Sequence, residues 1–208
     1  PVQQPGNYTL TIFNQENGCS SSATVEVSQD TALPVPVIAD PEVLTCGQTI
    51  ITLDATASYN GDDLDFGWVW ENLVVGTGAS VQVTEPGEYT LTVFNPNNQC
   101  QAEATVSVQQ DTAAPTVNAG PDGLLTCDQQ DWLLQGLASG ANGAFQYLWT
   151  DTAGNPQSQM PGWTADEPGL YTLTVTDTLN ACSATDEVLL SENVDPPAAQ
   201  ASANGPLT

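Results

Sequence analysis

One sentence of residues is written three times at a nearly fixed interval. It reads Pro5-Gly6-Asn7-Tyr8-Thr9-Leu10-Thr11-Ile12, then Pro86-Gly87-Glu88-Tyr89-Thr90-Leu91-Thr92-Val93, then Pro168-Gly169-Leu170-Tyr171-Thr172-Leu173-Thr174-Val175. A cysteine follows each tyrosine by eleven residues, at Cys19, Cys100 and Cys182. A second landmark, Leu-Thr-Cys, ends at Cys46 and again 81 residues later at Cys127. A period this long is the mark of a repeat array, in which each unit contacts its neighbours and the whole serves reach or scaffolding. The phase predicts the C-terminal half of a repeat at 1–30, full repeats at 31–111 and 112–192, and the start of another at 193–208. The chain therefore reads as an excerpt of a longer array.

Charge narrows the function classes. The 208 residues contain no Lys, Arg or His and 25 acids, a formal net charge of −25. Average composition would supply roughly two dozen basic residues. Nucleic-acid binding needs cations against phosphate, and an anionic membrane surface would repel this chain. A catalytic His, a Lys Schiff base or an Arg clamp cannot be built from it. Side-chain salt bridges are excluded too, so stability must come from apolar burial, backbone hydrogen bonds and disulfides.

Apolar residues alternate at period two in short runs. In 31–111, Thr49-Ile50-Ile51-Thr52-Leu53-Asp54 reads as a strand with Ile51 and Leu53 on one face. Phe66, Trp68 and Trp70 share a face, matched by Phe145, Tyr147 and Trp149. Tyr89, Leu91 and Val93 point one way, and Thr90, Thr92 and Phe94 the other. Pro34-Val35-Pro36-Val37-Ile38 reads as an edge strand, where proline is tolerated. Asn60-Gly61-Asp62-Asp63 and Asn95-Pro96-Asn97-Asn98 are turns. Short alternating strands between regular turn signals predict an all-β fold of antiparallel sandwich repeats, about 81 residues each.

A unit of about 80 residues is small for a self-sufficient core, so a covalent brace is expected in each. Phasing the array suggests Cys46–Cys100 and Cys127–Cys182 as bridges within repeats, with Cys19 paired to a cysteine upstream. Such bridges imply an oxidising, extracellular setting. The absence of His and of any Cys-x-x-Cys argues against zinc.

Three stretches carry a family resemblance: Tyr147-Leu148-Trp149-Thr150, Pro168 through Asp177, and Ala181-Cys182-Ser183-Ala184-Thr185. The pattern resembles the PKD-like and SprB-type Ig-like repeats of Bacteroidota surface adhesins. Trp70-Glu71-Asn72 stands where PKD domains proper have a Trp-x-Phe-Gly-Asp-Gly turn. The resemblance implies tandem Ig-like sandwiches in a very long cell-surface or secreted protein, exported by the type IX system and serving attachment, gliding or extracellular fibres. Its partners would be copies of itself in a filament, or neighbouring repeats.

Candidate sites follow. Asp30-Thr31-Ala32, Asp111-Thr112-Ala113, Asp151-Thr152-Ala153 and the variant Asp177-Thr178-Leu179 resemble the Bacteroidota O-glycosylation motif, making Thr31, Thr112, Thr152 and Thr178 candidate acceptors; Asp-Thr is also a good turn starter. Asp62, Asp63 and Asp65 fall in one loop and could offer oxygens to calcium, although an acidic loop is ordinarily just solvated. No other cofactor is expected, and no paired-carboxylate pocket signature points to an enzyme. Outward Phe13 and Phe94, replaced by Thr176 in the last copy, are candidate inter-repeat or inter-chain contacts. The outward threonine pairs, such as Thr90 and Thr92, suit ordinary β-propensity. Two alternatives to a structural or adhesive role remain: a carbohydrate-binding accessory module using Trp163, since Trp132 aligns with inward Ile51, and a calcium-stiffened single-chain spacer.

Overall fold

The computed structural model describes residues 1–140 and 144–202, and every regular element among them is a β-strand. The chain forms two compact units, Pro1–Glu42 with Ile50–Gln109, and Val43–Thr49 with Gln110–Thr208. Leu207 and Thr208, the expected opening of a further Leu-Thr-Cys, lie outside the described residues.

In the first unit, Leu73–Thr77, Asp65–Trp70, Gly87–Asn95 and Cys100–Val108 make a four-stranded antiparallel sheet in that spatial order. Ile51–Asp54 pairs antiparallel with Ser80–Val83 in a second sheet. The predicted alternation holds: Tyr89, Leu91 and Val93 are buried while Thr90, Thr92 and Phe94 are half-buried. Ile51, Leu53, Trp68, Val83 and Val108 complete the interior. Trp70 pairs with Leu73 across Glu71 and Asn72, whose φ values of 47° and 66° are those of a two-residue hairpin turn matched to strand twist. The predicted edge strand Pro34–Ile38 is reduced to a single bridge between Val35 and Tyr59, because Pro34 and Pro36 cannot donate to a ladder.

The second unit repeats this plan. Gly123–Thr126, Ser183–Asn193, Gly169–Asp177, Phe145–Thr150 and Pro156–Ser158 form a five-stranded sheet in that order. Gly123–Thr126 joins it in parallel, pairing Leu125 with Glu192 and Thr126 with Asn193. Trp132–Gln135 pairs with Gly162–Ala165, and Thr116–Asn118 with Leu137–Ser139. The core gathers Ala119, Leu125, Leu134, Trp149, Ala165, Tyr171, Leu173, Val175, Val188 and Leu190. Gly136 is required where it stands: a Cβ there would lie 2.4 Å from Leu173 Cδ2.

Each unit contains an Ig-like hallmark, a tyrosine at the start of a central strand whose hydroxyl bonds back to the backbone. Tyr89 donates to the carbonyl of Glu85 and Tyr171 to that of Glu167, both at 2.8 Å. Two residues on, where antibody domains carry an inter-sheet cysteine, this chain has the fully buried Leu91 and Leu173. The fold is all-β and Ig-like, and its covalent bridge lies outside the sandwich cores.

The first hairpin, Gly6–Phe13 with Ser20–Val27, has the same local form, down to Tyr8 donating to Gln4 O at 2.7 Å. Its apolar face is open: Leu10 is 69% and Ile12 62% exposed, where their counterparts Leu91 and Val93 are fully buried.

Candidate functional site

The most specialised chemistry in the molecule is a cysteine-bearing junction in the second unit. Val43–Thr49, numbered inside the first sequence repeat, belongs to this unit. Leu44 and Thr45 run parallel to Gln110 and Asp111, in register Leu44 with Gln110 and Thr45 with Asp111. Thr45 closes a tight turn, accepting at Oγ1 from the Gln48 amide (3.0 Å) while its own amide donates to Gln48 O (2.9 Å). The turn delivers Cys46 to Cys182, with Cα atoms 5.0 Å apart and a disulfide between them.

The receiving side is equally built. Asp177 and Cys182 close a hairpin turn in which Ala181 takes a left-handed φ of 58° and donates to Asp177 O at 2.9 Å. Asn180 is buried and holds four groups. Its Oδ1 accepts from the Cys182 amide (2.9 Å), its Nδ2 donates to Asp111 Oδ1 (3.0 Å) and Ala113 O (2.9 Å), and its carbonyl accepts from the Gly47 amide (3.2 Å). Gly47 is needed at this approach, since a Cβ there would lie 2.8 Å from Ala181 Cβ. Cys182 is 1% exposed. Burial with satisfied donors and acceptors makes this a rigid seat rather than a loose loop contact.

This corrects the expected pairing. Cys182 is bonded to Cys46, so neither Cys127–Cys182 nor Cys46–Cys100 forms, and Cys19, Cys100 and Cys127 are free thiols. The reason is strand geometry. Cys182 stands just before Ser183–Asn193, and Cys127 just beyond Thr126, which pairs with Asn193 at the other end of that strand. Ten residues of strand span roughly 33 Å, whereas bridged Cα atoms lie within about 7 Å. The signal for Asn180 was present in the sequence as Asn-x-Cys, written at Asn17-Gly18-Cys19, Asn98-Gln99-Cys100 and Asn180-Ala181-Cys182.

The other candidates are dispersed. The Asp-Thr-Ala triplets are aspartate-capped turns: Asp30, Asp111, Asp151 and Asp177 each accept at Oδ1 from the amide two residues on. Asp151 also takes the Asn155 amide, Asn155 Nδ2 and Gln157 Nε2, and these bonds, Asn155's foremost, hold its carboxyl below the usual range. Thr31, Thr112, Thr152 and Thr178 are exposed, Thr178 with its hydroxyl donating to Ala144 O at 3.1 Å. Asp62 and Asp63 stand exposed on their loop, whereas Asp65, also exposed, opens the strand Asp65–Trp70 rather than sharing that loop, and among the described residues no three acids or cysteines gather as a metal site.

Phe13 is 71% exposed and Phe94 half-buried. Trp163 lies against the core, edge-on to Tyr171 with ring centroids 5.7 Å apart, and Trp132 packs on the same cluster. Both tryptophans are partly buried. Thr9 and Thr24 share a hydrogen bond, as do Thr11 and Ser22, both at 2.9 Å. The threonines are thus cross-strand partners.

No protein-family profile matches the chain, and no curated protein matches it in sequence. Solved structures of similar form include the three N-terminal domains of the highly immunogenic outer capsid protein of bacteriophage RB49, at 20% identity and TM-score 0.47, over 76% of this chain and 59% of that one. The titin I-band fragment I67–I69 is similar at 12% identity and TM-score 0.41, over 79% and 67%. Immunoglobulin domains 1–5 of Sidekick-1 are similar at 14% identity and TM-score 0.36, over 91% and 46%. At these scores the likeness goes no further than the Ig-like fold that the strand order and the tyrosine corners define.

Proposed function

We propose that this chain is a structural and adhesive segment of a long extracellular array, with repeats framed at 31–111 and 112–192, working as a strand of a surface filament or as an adhesin stalk. One observation carries the reading. The Cys46–Cys182 bond spans 136 residues, more than one 81-residue period, so a covalent link runs from one sequence repeat into the next. The bridge fastens Val43–Thr49, a segment numbered in one sequence repeat, into the compact unit built mainly from the next, and sharing segments between successive repeats suits a load-bearing array. The disulfide suits an oxidising exterior. The uniform negative charge keeps unassembled chains apart, so lateral bundling in a filament requires cations from the medium.

Electron microscopy of the native assembly tests this. Several chains wound into a helical filament with lateral contacts between repeats is the expected image. Isolated thin strings, with one bead per period, would make the chain a single-strand stalk and move adhesion to another part of the protein. Compact particles with no extended array would overturn the reading.

A further inference from the structure

We propose that Cys19, Cys100 and Cys127 are each one half of a further bridge of the Cys46–Cys182 kind, made to a repeat of the same type outside these 208 residues, so that every repeat is covalently hooked to the next. This deepens the structural reading above and rests on it only for the presence of neighbouring repeats.

The observed bridge has two parts, a Leu-Thr-Cys hook and an Asn-x-Cys turn, and the molecule contains two such hooks and three such turns. At the second hook, Thr126 pairs in parallel with Asn193 as Thr45 does with Asp111. Gln129 donates its amide to Thr126 Oγ1 at 3.1 Å, and the Thr126 amide donates to Gln129 O at 2.8 Å, the same two bonds that shape the turn before Cys46. Cys127 is exposed at its tip.

The turn before Cys100 repeats the one before Cys182. Gln99 has φ 61° and donates to Asn95 O at 2.8 Å; Asn98 Oδ1 accepts from the Cys100 amide at 2.9 Å; Asn98 Nδ2 reaches Ala32 O at 2.9 Å, as Asn180 reaches Ala113. Even the sulfur is placed alike, with Cys100 Sγ 3.8 Å from Asn98 O and Cys182 Sγ 3.9 Å from Asn180 O. At Cys19 the turn is formed by Gly18 at φ 69°, with Gly18 donating to Asn14 O and the Cys19 amide to Asn17 Oδ1. Three turns and two hooks are thus preformed, and one pair has been joined.

Direction follows from that pair. The hook comes first in sequence and its turn 136 residues later, in the next repeat. Cys100 and Cys19 therefore take hooks from preceding repeats, and Cys127 takes a turn from a following one. Asp128 stands after Cys127 where Gly47 follows Cys46, so the turn facing it carries a glycine, as Gly18 does before Cys19, or yields slightly. Each bridge joins two thiols with loss of two protons and two electrons. A disulfide donor of the oxidising compartment accepts both and leaves as a dithiol.

The test is disulfide mapping of the native protein. Thiols are alkylated before denaturation, and the chain is cut at its acids, since it contains no Lys or Arg for trypsin. The expected result is that peptides bearing Cys19, Cys100 and Cys127 resist alkylation, each joined to a peptide of the complementary type, hook to turn. A mass on denaturing gels unchanged by reduction places the partner repeat on the same chain; a mass that falls places it on a second copy. In the 208-residue chain alone, alkylation counts three thiols and one bridge. Alkylated Cys100 and Cys127 in the native material, or a Cys100–Cys127, Cys46–Cys100 or Cys127–Cys182 peptide, would overturn the proposal. Filament morphology is read separately, so the two failures are distinguishable.

Discussion

Tyr171 Oη lies 2.8 Å from the carbonyl oxygen of Glu167, four residues earlier, and so ties the start of the central strand to the turn that feeds it. The ring is buried among Leu173, Val188 and Trp163 while the hydroxyl finds its acceptor at the rim. Replacing Tyr171 by Phe keeps the packing and removes one partly buried hydrogen bond. The expected loss is about 1 kcal/mol, read by denaturant unfolding. Tyr89→Phe, which frees Glu85 O in the other unit, should cost about the same.

The same tyrosines set an alkaline limit. Burial, then the Glu85 carboxylate, raises the Tyr89 hydroxyl above its ordinary value; burial, then Glu167, Asp166 and Asp151, does so for Tyr171. The folded state thus holds these protons more tightly than the unfolded one. The stabilisation is complete below the unfolded value, about pH 10, and is lost as pH rises through the raised folded values. Melting curves with blocked thiols should be flat to about pH 10 and then fall. In a Tyr89→Phe, Tyr171→Phe double variant that fall should be shallower.

Much of this was legible in the sequence. Alternation placed Ile51, Leu53, Tyr89, Leu91 and Val93 correctly because a strand's period of two leaves one face to bury. The cysteines were not legible, and the cause is the repeat itself. In a periodic chain, a partner 54 residues away in the same repeat and one 136 away in the next recur equally well. What separates them is the parallel pairing of Leu44–Thr45 with Gln110–Asp111, a long-range contact with no local signature. Asn180 was missed likewise. Its Asn-x-Cys pattern recurs at all three turns, but the long-range hold of its side chain on Asp111 and Ala113 has no local signature.

The two core tryptophans occupy equivalent positions and differ in one bond. Trp68 Nε1 donates to Gly78 O at 3.0 Å, whereas the buried Trp149 Nε1 has no acceptor among the described residues. Trp→Phe removes the same volume from each core. Trp68→Phe also leaves the Gly78 carbonyl without its donor, while Trp149→Phe removes an unpaired N–H. Trp68→Phe should therefore be the more costly of the two by about 1–2 kcal/mol. Equal losses by chemical denaturation would mean that Trp149 finds an acceptor in solution.

Asp151 gathers the Ala153 and Asn155 amides with the Asn155 and Gln157 side chains, which organises the turn after Phe145–Thr150. Its depressed carboxyl value means that the charged form is favoured by folding. That contribution is present above the unfolded value, about pH 4, and is lost as pH falls through the folded one. Asp151→Ala should melt below the parent chain at pH 7, with the gap closing in acid. A gap independent of pH would assign the effect to turn geometry and not to charge.

Removing the bridge gives the largest expected effect. Cys46→Ser opens a 136-residue loop, for which the chain-entropy model gives about 5 kcal/mol. That figure is a ceiling, because residues Ile50–Gln109 fold into their own unit and shorten the loop that the unfolded second unit closes. A loss of about 2–4 kcal/mol is expected, confined to the transition of the second unit. Cys182→Ser should match it, and the double variant should be no worse than either, since each removes the same bond. The hydrogen bonds from Gly47 to Asn180 and from Asn180 to Asp111 remain in both variants. If calorimetry showed the first unit's transition falling as well, the bridge would be supporting the folding of both units and not only of the one that contains it.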